Sequence, residues 1–368
     1  MKEKKPFDFW IFMTVLLLLS IGIIMLFSAS TAYAYSYKHD TYYFLKRQLE
    51  YGAVGVAAML LMSKVDYRKL GKLSPVLIVI TIILLILVRI PGIGRNINGS
   101  WRWIYIGPQS IQPSELLKIS LILFFSYSLS RRKEQLQYFF KGFIPYILLI
   151  GLFAALLMLE PHLSCTILVT LVASVILFSA GARIRHFVIM IAPAVFTLVI
   201  LISTWGYMRE RVLTFLDPWK DKQGSGWQIV QSLYAIGSGG LFGRGLGKSL
   251  QKFLYLPEPH NDFIFSVIAE ELGFIGVLAV LMLFFIFIWR GIKVAMNAPD
   301  AFGSLVAIGI TSLVAIQLII NVCVVTSSMP ATGISLPFFS YGGTSLLFLM
   351  CEIGILLNIS KYANYERI

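Results

Sequence analysis

Acidic side chains able to move a proton gather in one stretch, Tyr255-Leu-Pro-Glu-Pro-His-Asn-Asp-Phe-Ile-Phe-Ser-Val-Ile-Ala-Glu-Glu-Leu-Gly273. It drives carboxylates into the mouth of an apolar segment, with Pro257 and Pro259 stiffening the approach. At a spacing of four, Asp262, Ser266 and Glu270 share one helix face while Phe263, Val267 and Leu278 take the others, which predicts a polar stripe facing water. A carboxylate in a partly desolvated cleft is a general base, contributing about 10²–10⁴-fold to a rate. The plain alternative is that Asp262 or Asn261 caps the helix, which stabilises it by about 0.5–2 kcal/mol. A well-bonded cap lowers the carboxylate pKa and makes a poor base, so the catalytic reading requires an apolar or electronegative setting.

A second pair, Glu115 and Lys118, lies at the start of another apolar run. A charge within a membrane span costs about 2.5–3.5 kcal/mol, which makes Lys118 a functional candidate, and Glu115 three residues earlier can pair with it. Just before them, Arg95 and Arg102 accompany Trp101, Trp103 and Tyr105, cations beside an aromatic platform that could hold a phosphate or a sugar. The glycine-rich run Gly237-Ser-Gly-Gly-Leu-Phe-Gly-Arg-Gly-Leu-Gly-Lys-Ser249 ends like a nucleotide-binding loop, but the required first glycine is Phe242 and no strand precedes it. What remains there are freed backbone amides with Arg244, Lys248 and Lys252, able to cradle a phosphate, or merely a flexible surface loop. His162 reads as a solvated loop histidine. Gln317 and Asn321, four apart, read as interhelical glue, and Glu352 has no evident partner.

The elements that must position these groups are membrane helices. Of 368 residues, 58% are hydrophobic and only 13% charged, which excludes an ordinary soluble domain. A spanning helix needs roughly 20 apolar residues. Ten such segments are expected, at about 9–30, 47–63, 74–90, 113–130, 143–159, 163–180, 186–205, 262–289, 303–326 and 342–360. The fold class is therefore all-α and polytopic, a single domain over 1–368, with 206–261 as one long outer loop between the seventh and eighth spans. The net charge of +13 sits mostly on the segments that become cytoplasmic when both termini are inside, as the positive-inside rule requires, so no nucleic-acid partner is expected. The tyrosine-rich stretch 32–44 reads as an interfacial aromatic belt. Cys165, Cys323 and Cys351 fall in apolar spans with no metal or disulfide spacing.

Four motifs carry a family resemblance: Leu256 to Gly273 as quoted, Ile111-Gln-Pro-Ser-Glu-Leu-Leu-Lys118, Gly224-Ser-Gly-Trp-Gln-Ile-Val-Gln-Ser232 and Pro330-Ala-Thr-Gly-Ile-Ser-Leu-Pro-Phe-Phe-Ser-Tyr-Gly-Gly343. Together they resemble the SEDS proteins, the family of FtsW, RodA and SpoVE, and Gln251-Lys-Phe-Leu-Tyr-Leu-Pro257 is most similar to the FtsW and SpoVE branch. The resemblance implies a peptidoglycan glycosyltransferase that polymerises lipid II at the outer face of the bacterial cytoplasmic membrane during division or sporulation. It implies a class B penicillin-binding protein as partner, together with other divisome or sporulation membrane proteins. Asp262 matches the family's essential acid and would act as the base. The side chains expected to meet the substrate are Glu115, Lys118, Arg102, Trp103, Glu258, His260, Glu270, Arg244, Lys252 and Ser340. No metal ligand set is assigned; Mg2+ or Mn2+ at the pyrophosphate is the one cofactor left open. Where the family usually reads Gln-Pro-Asp-Leu-Gly, this chain has Glu160-Pro-His-Leu-Ser164. It thereby loses an acid at 162 and a glycine at 164; if that acid contributes to the family's site, either Glu160 compensates or activity is reduced. The rival readings are a lipid II flippase and a non-catalytic divisome scaffold.

Overall fold

The structure is a computed structural model describing residues 6–364 except 98–99, 108, 222–223, 225 and 254. Ser225 of the Gly224 to Ser232 motif and the terminal cations at 2, 4, 5 and 367 lie outside the described residues.

Twelve α-helices follow in order: α1 (Phe9–Lys38), α2 (Tyr43–Met62), α3 (Tyr67–Leu87), α4 (Pro113–Arg131), α5 (Ile144–Leu159), α6 (Leu163–Ser179), α7 (Ile184–Thr204), α8 (Gly206–Leu216), α9 (Trp227–Gly239), α10 (Ile264–Met296), α11 (Ala301–Val325) and α12 (Gly343–Ser360). Seven of the described helices are long and apolar enough to cross a membrane. Each of the ten expected segments coincides with a helix. Among them, α2 and α4 carry internal charges, and α6 has only 17 residues. Most of α4 is buried against α3, α6 and α11, so Ser114, Ser120, Ser126, Glu115 and Lys118 face protein instead of lipid.

Short polar caps fix the starts of α1 and α11. Asp8 accepts from the amides of Trp10 and Ile11 at the start of α1, and its carboxylate also pairs with Arg290 near the end of α10. Asp300 caps α11 through Gly303 N–H and receives Tyr67 and Arg68 from α3.

Three expectations change. The chain is not wholly helical: residues before α4 form a small antiparallel sheet in the order β1 (Gly94–Ile97), β2 (Ser100–Ile106), β3 (Gln109–Ile111). The period-two alternation of Trp101, Trp103 and Tyr105 with Arg102 and Ile104 is a strand pattern, and it puts Arg102 and Ile104 on the same face. The tyrosine-rich stretch is also mostly not a loop, because α1 runs on to Lys38 and carries Tyr33, Tyr35 and Tyr37. Finally, 206–261 is not a plain loop: it holds α8 and α9, the latter packed along α10.

Candidate active site

The peptide before α10 is held by its carbonyl groups. Tyr341 N–H donates to His260 O at 2.9 Å, Ser340 Oγ to Asn261 O at 2.8 Å, and Asn321 Nδ2 to Asp262 O at 2.8 Å. Asn321 also donates to Ile334 O at 2.8 Å, and Ser340 accepts from Leu336 N–H at 2.8 Å, so one residue each from α11 and the 330–342 segment ties the two strands of chain together. Three successive carbonyls are thus fixed while the Asp262 side chain is left out of the scaffold.

That side chain is not a cap. Phe263 occupies the cap position of α10 with no side-chain cap bond, and Asn261 Nδ2 instead donates to Glu258 at 2.9 Å. The half-buried Asp262 carboxylate lies against Gly333 and Ser164: a Cβ on Gly333 would come within 3.1 Å of Asp262 Oδ2 and 3.8 Å of Ser164 Oγ. Gly333 has φ +76°, a left-handed conformation that glycine alone adopts readily, so the backbone approaches the carboxylate because no side chain intervenes.

Burial first, and then the like charge of Glu258, raise the Asp262 pKa to about 6, against the opposing pull of Arg211 and Arg102. This is the setting that a base for near-neutral chemistry requires. Arg102 reaches the site from β2, donating through Nε to Glu160 O at 3.1 Å and through its other nitrogen to Pro161 O. Arg211, on α8, donates to Ala331 O beside Gly333.

The turn between α5 and α6 sits next to Arg102. Glu160 is fully buried with neither carboxylate oxygen hydrogen-bonded. Burial pushes its pKa to about 8 despite Arg102 and Arg89, so it is predominantly neutral at pH 7. His162, expected to be solvated, is half-buried with its Nδ1 shut off from water; burial, then Arg102 and Lys118, hold its pKa down to about 3, and it too is uncharged.

On α4, Lys118 Nζ meets Glu115 Oε2 at 2.6 Å, both buried. The pair opens onto a cavity of about 20 Å³ shared with Gln317, Ser340 and Glu352, space for a single water. Glu352 thus has the neighbour the sequence did not supply: it lines the same cavity as Lys118.

The other expected contacts spread out. Glu258 is exposed beside Asp262. His260 is buried among Phe44 and Tyr33, ring centroids 4.4 and 4.8 Å away, and burial lowers its pKa to about 4. Trp103 lies on the β2 face opposite Arg102, and the Arg95 guanidinium sits 4.4 Å over the Tyr105 ring. Ser340 spends its hydroxyl on backbone. The polar stripe of α10 is dry: Ser266 is buried against Ser232 at 2.7 Å, and Glu270 is fully buried. Glu270 accepts from Ser249 Oγ at 2.5 Å and Leu250 N–H at 2.8 Å. Lys252, 2% exposed, pairs with Glu271 at 2.9 Å. Gly247 and Ser249 amides also donate to Glu271, so the glycine-rich loop binds its own chain's carboxylates with the amides expected to meet a phosphate. Arg244 is exposed on that loop.

Arg211, Gly333 and the clamp role of Asn321 were not legible as site features. Arg211 lies in an 11-residue helix within what reads as a loop, and its only sequence signal is the Arg-Glu-Arg triplet at 209–211.

Comparison with known proteins fits this architecture. The chain is 46% identical over 364 residues to stage V sporulation protein E of Bacillus subtilis (strain 168), covering 99% of each chain. It is 41% identical over 360 residues to a protein of Geobacter sp. (strain M18) named "Probable peptidoglycan glycosyltransferase FtsW", covering 98% of each. Among solved structures, a chain described under "Structural coordination of polymerization and crosslinking by a peptidoglycan synthase complex" superposes with a TM-score of 0.80 at 29% identity, covering 96% of this chain and 97% of that one. The rod shape determining protein RodA of Thermus thermophilus gives a TM-score of 0.70 at 28% identity, covering 96% of each chain. With the family profile described as "Cell cycle protein" matching residues 9–365, this chain belongs to the FtsW, RodA and SpoVE family of multi-pass proteins of the bacterial cytoplasmic membrane.

Proposed function

We propose that the chain is a peptidoglycan glycosyltransferase that polymerises lipid II at the outer membrane-water boundary, with Asp262 as general base. The observation that carries this reading is a carboxylate with its backbone clamped, its side chain uncapped and its pKa near 6, set between the positive charges of Arg102 and Arg211. The relatives' names supply the reaction class. Asp262 takes the proton of the acceptor sugar's 4-hydroxyl. The oxygen attacks the anomeric carbon of the second sugar with inversion, and the bond to undecaprenyl pyrophosphate breaks with its electron pair leaving on the phosphate. Arg102 and Arg211 supply positive potential where that charge develops. The Lys118 and Glu115 pair acts behind them, its cavity reaching Ser340 and so the clamp under Asn261.

No group of three or more metal-ligating side chains converges among the described residues. A divalent cation, Mg2+ or Mn2+, at the pyrophosphate would find the exposed Glu258 as its nearest acidic side chain outside the base. Bound there, it would neutralise charge on the leaving pyrophosphate. In the same reading, α2, α4 and α6 join the seven strongly apolar helices as spans, giving ten with both termini cytoplasmic and 206–261 outside. A class B penicillin-binding protein, with other division or sporulation membrane proteins, is the expected partner.

The test incubates the purified protein and its transpeptidase partner with lipid II and resolves glycan strands by gel. Wild type makes polymer, and Asp262→Asn loses about 10²–10⁴-fold in rate. A fully active Asn variant removes Asp262 from the mechanism, and a wild type that scrambles labelled lipid without polymer favours a flippase.

A further inference from the structure

The glycine-rich loop carries two cations and several large apolar side chains that the reaction leaves unused. Its backbone is fixed. α10 breaks at Gly273 (φ 67°, ψ −170°), which interrupts the hydrogen bonding of the helix there, and the loop fills the gap. Arg244 N–H donates to Glu270 O at 2.9 Å and Gly245 N–H to Glu271 O at 3.0 Å, while Phe274 and Ile275 amides donate to Gly240 O and Leu241 O at 2.9 and 3.1 Å. With the amides of Gly247, Ser249 and Leu250 held by carboxylates, the loop meets its surroundings through side chains.

Two ties between α1 and α10 give its depth. Asp8 pairs with Arg290 at the inner end, and Ser28 Oγ donates to Glu271 at 2.7 Å at the other. Along the unbroken α1, Asp8 to Ser28 is about 20 residues, or about 30 Å of helix, the thickness of a bilayer's hydrocarbon core. On the proposed topology with both termini cytoplasmic, on which this inference rests, Glu271 and the loop bonded to it stand at the outer boundary between acyl chains and headgroups. At that level Leu241, Phe242 and Leu246 are 63%, 80% and 57% exposed, and Arg244 and Lys248 are exposed among them. The Lys248 stem lies over Gly245, its Cδ 3.4 Å from where a Cβ on that glycine would sit, so it leaves from the same short turn that carries Arg244. Apolar anchors interleaved with cations at this depth match the chemistry of an anionic lipid surface.

We infer that residues 241–248 form a binding site for an anionic phospholipid of the outer leaflet, its phosphate between Arg244 and Lys248 and its chains against Phe242 and Leu246. The loop thereby locks the α10 break to the membrane surface.

Native mass spectrometry of the purified full chain in detergent, titrated with short-chain phosphatidylglycerol or phosphatidylcholine, tests this without any turnover. Wild type binds phosphatidylglycerol more tightly. Arg244→Gln and Lys248→Gln each weaken its tightest binding about fivefold, and together about thirtyfold, with phosphatidylcholine unchanged. Phe242→Ser with Leu246→Ser weakens both lipids. A double Gln variant with wild-type preference overturns the site. Displacement of phosphatidylglycerol by inorganic phosphate, with the Ser variant unaffected, also overturns it by assigning the cations to free phosphate. Retention of a second membrane protein that is lost with the Ser variant would overturn it too.

Discussion

At Asp262 a backbone group and a side-chain group do separate work. The carbonyl is part of the clamp through Asn321, and the carboxylate is the proposed base. The rate should therefore follow the carboxylate's ionisation. As a base it must be deprotonated, so kcat/KM for lipid II falls about tenfold per pH unit below about 6, the value that burial and Glu258 impose. Glu258→Gln removes the like charge and moves that limb to lower pH, and Arg211→Gln moves it up. Initial polymerisation rates across pH measure this, and limbs that stay put in both variants would detach the profile from Asp262. The same shift opposes folding: an acid whose folded pKa is raised destabilises the fold above its ordinary value, fully so beyond pH 6. The Asp262→Asn protein should therefore melt no lower than wild type at pH 7, which separates lost chemistry from lost structure.

Among the elements, α10 does the most positioning, and it does so as two pieces. Gly273 bends back to back with Gly243: a Cβ on Gly273 would lie 2.2 Å from the Gly243 nitrogen. Glu271 fastens the joint with Ser28, Lys252 and two loop amides. Breaking a buried ion pair by removing one partner costs about 3–5 kcal/mol when the other is stranded. Glu271→Leu strands Lys252 and the amides and should show that full loss in unfolding measured in detergent. Lys252→Met should cost less, because Glu271 keeps its other donors; equal losses would mean the amides contribute nothing. None of this could be read from the periodicity of 262–273, which spaces Asp262, Ser266 and Glu270 on one face and suggests a wet groove. A helix pattern reports which residues align, and only the packing of α9, the loop and α1 against that face shows that it is dry.

For the whole molecule, the proposed orientation rests on charge and depth together. In a background lacking Cys165, Cys323 and Cys351, a cysteine at Lys220 should react with a membrane-impermeant thiol reagent in intact cells, and one at Arg132 only after lysis; the reverse labelling would invert the topology. The sequence by itself determined the membrane class, the helical segments and the family, because hydropathy and motif order are local or summed along the chain. Tertiary structure alone decided the rest. It brings Arg211 from α8 and Gly333 from the segment before α12 to Asp262, gives Glu352 its place by Lys118, buries Glu160 and half-buries His162, and spends the glycine-rich loop's amides on Glu271. Each of these depends on which surfaces exclude water, and burial is a property of neighbours far apart in the chain, on which no single stretch carries information.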